Sequence, residues 1–304
     1  MIQTADLTKS NSSNYPATVQ KYLWNWKETQ IEVIYETRGE GKPVLLLPAF
    51  STVSTREEMR PLAELLAPNF QVVSVDWPGF GESSRPRTDY EPQLYHQFLK
   101  DFVESVFNSS VAVVAAGHAA GYAMQLAQSK PNVWSKIVLP APTWRGPLPT
   151  MSKQPRGWHG MVRELVRSPL IGQFLYKLNT APSFLSLMYR RHVYADAAKV
   201  TADFIQNKRK VTQQPGARFG SAAFVTGGLD PAKTREEFVA NFQGLTVPVM
   251  VVVAEKAPPK SKAEMEVLAQ LPGVESRVIP GTLGLHEEFA EDLANAVKSF
   301  ISEN

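Results

Sequence analysis

The sequence contains no cysteine, which excludes disulfides, thiolate metal sites and a cysteine nucleophile together. It also lacks any run of about eighteen apolar residues, the length a membrane-crossing helix needs. Its first residues, MIQTADLTKSNSSNYPATVQ, do not show the basic-then-apolar order of a secretory leader. Histidine is scarce at five, and His96, His159 and His192 fall at no metal-ligand spacing. A soluble, cytoplasmic protein with neither metal nor cofactor is expected. Internal repeats and low-complexity segments are absent as well. What remains is ordinary globular material: 304 residues, 43% hydrophobic and 20% charged, enough to bury a sizeable core.

The net charge of +3 hides an asymmetry. From Ala141 to Gly220 there are thirteen Lys or Arg against three Asp or Glu, leaving nineteen against twenty-six elsewhere. The middle of the chain is basic and its two ends are acidic.

Apolar and β-branched runs place strands at Lys21 to Trp26, Ile31 to Tyr35, Pro43 to Leu47, Phe70 to Val75, Val111 to Ala116 and Ile137 to Leu139. Helical patterns lie between them: one opened by Ser54 with Glu57 three residues on, one at Pro92 to Phe107 and one at Ala120 to Gln128. Alternation stops at Pro140-Ala141-Pro142. It resumes with strands at Val247 to Val253 and Val274 to Ile279 and helices at Lys262 to Leu271 and Glu287 to Ile301. Such alternation gives a mostly parallel central sheet with helices on both faces. The interval contains helical stretches at Met161 to Arg167, Ile171 to Leu178 and Phe184 to Arg191, and reads as an inserted helical cap. The expected division is a core of residues 1–142 and 231–304 with a cap of 143–230.

One turn between strand and helix carries chemical interest. Strand Val111 to Ala116 runs into Gly117-His118-Ala119-Ala120-Gly121 and then an apolar helix. A sharp elbow of this kind needs small residues around one lifted side chain. With the elbow go Pro48-Ala49-Phe50-Ser51 after the third strand, Asp76-Trp77-Pro78-Gly79-Phe80-Gly81-Glu82-Ser83 after the fourth, and Gly284-Leu285-His286 before the last helix. On these motifs the chain resembles the α/β-hydrolase superfamily from Lys21 to Ser302. The elbow together with APTWRGPLP and HVYAD is similar to a cyanobacterial and plastid subgroup. The resemblance implies an α/β-hydrolase fold with a triad, and mapping that triad puts His286 at the base, Ala119 at the nucleophile position and Ala257 at the acid position. Glu255, two residues before Ala257, is a poorer substitute acid. The two losses exclude an ordinary serine esterase, and losing both favours divergence over a single trapping substitution.

The resemblance also implies surviving oxyanion donors, the N–H of Ala120 with one from Ala49 or Phe50. His118 beside the elbow is expected to be structural, and Ser51, Ser54 and Ser83 are expected to be caps or loop hydrogen bonders. The cap holds Trp144, Trp158, Phe174, Tyr176, Phe184, Met188, Tyr189 and Tyr194 interleaved with Arg145, Arg156, Arg163, Arg167, Arg190 and Arg191. That mixture suits an apolar or amphipathic small molecule, with Trp144 beside it, or an anionic membrane surface holding the protein at its periphery. No nucleic-acid motif is present. Three readings compete: a non-hydrolytic binder of an apolar or amphipathic molecule, a divergent hydrolase or lyase using His286 as general base, and an interaction scaffold. An open cavity leading to the elbow would favour the first two; a filled one would favour the scaffold.

Overall fold

A computed structural model describes residues 15–151, 161, 164–165, 168 and 171–303 of the chain. Its centre is an eight-stranded sheet ordered β1-β2-β4-β3-β5-β6-β7-β8. The strands are β1 (Thr18–Trp26), β2 (Thr29–Arg38), β3 (Lys42–Leu47), β4 (Phe70–Val75), β5 (Val111–Ala115), β6 (Trp134–Pro140), β7 (Val249–Ala254) and β8 (Val274–Ile279). β1 and β2 form an antiparallel hairpin, β2 meets β4 antiparallel, and all pairs from β4 to β8 are parallel. The interior strands β5 and β7 are buried at every position, as continuous Val/Ala/Met runs covered on both faces must be. This is the expected α/β-hydrolase fold.

Helices α1 (Arg60–Leu66), α2 (Pro92–Val106) and α3 (Ala119–Ser129) follow β3, β4 and β5. α2 packs on α3, while α1 packs on the last helix. Between β6 and β7 the described residues form helices alone: α4 (Pro147–Met151), α5 (Ile171–Asn179), α6 (Pro182–Met188), α7 (Ala202–Thr212), α8 (Ala217–Val225) and α9 (Arg235–Ala240), with shorter turns. α10 (Pro259–Ala269) precedes β8, and α11 (Leu285–Glu288) and α12 (Ala290–Ser302) follow it. The single helix expected from Glu287 to Ile301 is therefore broken at Phe289, which caps both pieces with φ −118° and ψ 44°. Met161 to Arg167 lies largely outside the described residues, as do Arg156, Trp158 and His159.

The start of the helical stretch after β3 also differs from expectation. Thr55, not Ser54, caps it by accepting from the Glu57 N–H. The Ser54 hydroxyl instead donates to the Ala49 carbonyl at 2.6 Å, closing the loop back on itself.

Candidate functional site

The chain leaves β5 through Ala116, whose N–H still donates to the Leu47 carbonyl at 3.0 Å. Gly117 then turns the backbone with φ +54°, a left-handed value that an L side chain adopts only with strain. His118 is already right-handed and Ala119 opens α3, fully buried. The lifted position of the elbow is therefore Gly117 and not Ala119 as the sequence suggested. A β-carbon built on Gly117 would sit 3.0 Å from the Ala49 β-carbon and 3.7 Å from Thr143 Oγ1, so this turn faces the loop after β3 and the start of the insertion.

The donors around the elbow change with it. The Ala120 N–H is committed to the Gly117 carbonyl at 3.2 Å and is not an oxyanion donor. The residue after the lifted position is His118. Its N–H, and those of Ala49 and Phe50, make no hydrogen bond among the described residues. These free amides beside Gly117 form a small electropositive edge of the kind that stabilises a carbonyl oxygen or an anion. The Phe50 side chain, by contrast, is core: it stacks on Trp77 at 4.7 Å and meets Tyr95 edge-on at 4.9 Å.

Beneath this edge the Asp76-to-Ser83 loop is locked by buried charge. Asp76 accepts from the Arg56 guanidinium and backbone, and from the Glu82 N–H. Ser83 Oγ accepts from the Ile34 N–H at 2.9 Å and donates to the Asp76 carbonyl at 2.8 Å, while Ser51 Oγ accepts from the Val53 N–H at 3.1 Å. Each hydroxyl is engaged in holding a loop.

His118 ties the insertion to the elbow. Its Nδ1 shares a 2.8 Å hydrogen bond with Thr143 Oγ1, and its Nε2 lies 3.5 Å from Asp230 Oδ1 without hydrogen-bond geometry. Asp230 in turn accepts from the Gly146 N–H at 2.7 Å. The hydroxyl–imidazole–carboxylate order is that of a triad, but its second contact is not a hydrogen bond. The arrangement clamps residues 143–146 and 230 together beside Gly117. Trp144 is buried, stacked on Phe238 at 6.3 Å, with its Nε1 donating to Glu264 at 3.3 Å.

The other mapped residues have neighbours of their own. His286 is buried, with Nε2 3.7 Å from Glu58 Oε1 on the helical turn Arg56–Met59, and neither ring nitrogen is hydrogen-bonded. It faces Glu58, whereas Gly117 faces Ala49 and Thr143. Next to it, Lys208 from α7 reaches both Glu287 oxygens at 2.7 and 2.9 Å, linking the insertion to the core through a buried ion pair. Burial works to lower the Lys208 ammonium, but Glu287 and Glu58 more than offset it and the net direction is upward. Ala257 is buried after β7, and Glu255 points into solvent. His96 is half-buried, which lowers its pKa, and His192 contributes its carbonyl to the Leu283 N–H.

Four cavities along the described residues have walls that do not include Gly117, Ala119, Ala120, Thr143 or His286. One of about 480 Å³ lies wholly within the insertion. The sequence reading missed Gly117, the Lys208–Glu287 pair and this cavity. The glycine was visible, but its left-handed backbone was not.

A model of the alpha/beta hydrolase family matches residues 44–296. Among solved structures, a thermophilic esterase from Thermogutta terrifontis is 20% identical with a TM-score of 0.70, over 92% of this chain and 97% of that one. A putative alpha/beta hydrolase from Nostoc sp PCC 7120 is 19% identical with a TM-score of 0.70, over 96% and 99%. At such identities the likeness is one of fold. A 2-hydroxy-6-oxo-6-(2'-aminophenyl)hexa-2,4-dienoic acid hydrolase from Metapseudomonas resinovorans is 27% identical over 104 residues, 33% of this chain and 36% of that protein. An uncharacterized protein of Mycobacterium tuberculosis is 28% identical over 105 residues, 34% and 30% of the two chains. The chain thus spans about a third of the length of these curated relatives.

Proposed function

We propose that this chain, which belongs to the α/β-hydrolase family, is a non-hydrolytic member that binds an apolar or amphipathic small molecule. One observation carries the reading. The lifted position of the elbow is Gly117, which has no side chain to attack a carbonyl. Ala257 in the acid position and the inward burial of His286 against Glu58 agree with it. A divergent hydrolase with His286 as base is favoured less, since the recorded neighbour of the His286 ring is Glu58 at 3.7 Å and a base needs the reacting atom within hydrogen-bond reach. The free amides of Ala49, Phe50 and His118 need no nucleophile to hold a carbonyl or anionic group. Similarity to a cyanobacterial and plastid subgroup belongs to the same reading.

The packed surroundings of Gly117, where a β-carbon would meet that of Ala49 at 3.0 Å and the following Ala119 and Ala120 are fully buried, favour a second reading, an interaction scaffold. Mass spectrometry of small molecules extracted from the protein, purified without detergent, separates the two. The binder reading expects an apolar or amphipathic molecule in constant ratio to protein. Its absence across preparations from different growth conditions would contradict the binder and leave the scaffold.

A further inference from the structure

The helix α5 presents an unusual face. Ile171, Phe174 and Leu178 are 56, 62 and 54% exposed, and their i, i+3, i+7 spacing puts them on one side of the helix. The neighbouring α6 continues the pattern with Phe184 and Leu187 exposed, and Arg191, seven residues after Phe184, is exposed too. Among the described residues, most large exposed apolar side chains lie in the insertion, Met151, Met161 and Leu165 among them. A contiguous apolar surface of this kind marks a contact with something that is not water.

The adjoining side of α5 lines the cavity of about 480 Å³ that α7 and the start of α8 complete. Its lining contains Lys177, Arg209 and Arg218 and no acidic residue. Gly216, left-handed at φ +80°, caps α8, and the start of that helix lines the cavity with its partly positive end, which favours an anion. Tyr176 also lines the space. It is 5% exposed and its hydroxyl has no hydrogen-bond partner among the described residues, and a buried hydroxyl normally finds one. The positive charge of Arg85 is felt at the same hydroxyl.

We propose that the insertion docks on an anionic membrane, its exposed apolar residues entering the acyl boundary while Tyr176, Lys177 and Arg209 take one phosphate headgroup. Cations beside an apolar face are the arrangement of an interfacial helix, and the basic excess of residues 141–220 supplies the longer-range attraction. A protein partner would need acidic complementarity without acyl chains; the bare Phe174 and Ile171 beside a cationic space of about 480 Å³ favour lipid. The site rests on the reading of the protein as a binder of amphipathic molecules and gives that molecule a class. Arg190 and Arg218 are not part of it, because the Arg190 guanidinium is held by Ser186 Oγ at 3.2 Å and the Val200 carbonyl at 2.9 Å, and that of Arg218 by Gln173 Oε1 at 2.7 Å.

The test is co-sedimentation of the full chain with vesicles of phosphatidylcholine alone and of phosphatidylcholine mixed with phosphatidylglycerol. Binding is expected only to the mixed vesicles. Lys177→Glu with Arg209→Glu should weaken it at least about tenfold, since each cation near the surface is worth about 1 kcal/mol. Phe174→Asp, on an exposed side chain, should weaken it without lowering the melting temperature, and the charge-matched control Lys100→Glu with Lys233→Glu should not. Equal binding to both vesicles, no binding to either, or equal loss in the control would overturn the proposal. So would saturable stabilisation by inorganic phosphate without vesicle binding, which would make the cavity a site for free phosphate. A covalent adduct at the elbow would overturn the non-hydrolytic reading and leave this site untouched.

Discussion

A glycine at φ +54° flanked by a 3.0 Å approach to Ala49 has consequences for substitution. Placing a serine there forces a β-carbon into a left-handed turn, costing about 1–2 kcal/mol before the clash with Ala49 is relieved. Gly117→Ser should therefore lower the melting temperature, and even combined with Ala257→Asp it should not give an efficient esterase, because His286 faces Glu58. Ala119→Ser should leave both p-nitrophenyl ester turnover and the fold nearly unchanged, its hydroxyl lying inside the first turn of α3. Appreciable turnover by Ala119→Ser would return the reactive position to Ala119. The elbow was legible in the sequence because small residues crowd around it. Its centre was not: Gly117 to Gly121 and Ala115 to Ala119 both give a small residue four positions after another, and only the backbone angle chooses.

Elements followed the apolar runs closely where a strand is buried on both faces, as in the run from Val111, where composition alone demands it. They departed where tertiary contacts decide. α6 ends in a wide turn at Tyr189–Val193, and this turn packs against the loop before α11, where the Gly284 N–H donates to the Val193 carbonyl at 2.9 Å. The Lys208–Glu287 pair strengthens the same seam between α7 and α11, and no periodicity pairs residues that far apart. Lys208→Met leaves Glu287 and Glu58 uncompensated and should cost about 3 kcal/mol in denaturant unfolding. Lys208→Met with Glu287→Leu should recover part of that. Because the folded ammonium titrates above its ordinary value, the pair's contribution is complete below a pH of about 10.5 and is lost as pH rises past the raised value. An unchanged unfolding midpoint for Lys208→Met would show that the seam does not depend on the pair.

The whole molecule separates its charges and its exposed apolar surface. The core carries the acidic excess, whereas the insertion carries the cations, the bare α5 face and the cavity beside it. Composition gave the charge asymmetry directly, but aromatic content could not say which side chains face outward; Trp144 is buried while Phe174 is exposed. If the insertion meets anionic lipid, binding should weaken as salt rises, since exposed charges are screened over about 8 Å at physiological ionic strength. It should not vanish, because the apolar contribution is insensitive to screening. Salt-independent vesicle binding would leave the cations without a role. An elbow without a nucleophile should leave the intact mass of the protein unchanged after incubation with a fluorophosphonate and with an activated ester, with no burst of released alcohol; a one-to-one adduct mapping to the peptide that spans Val111 to Tyr122 would place a reactive group there after all.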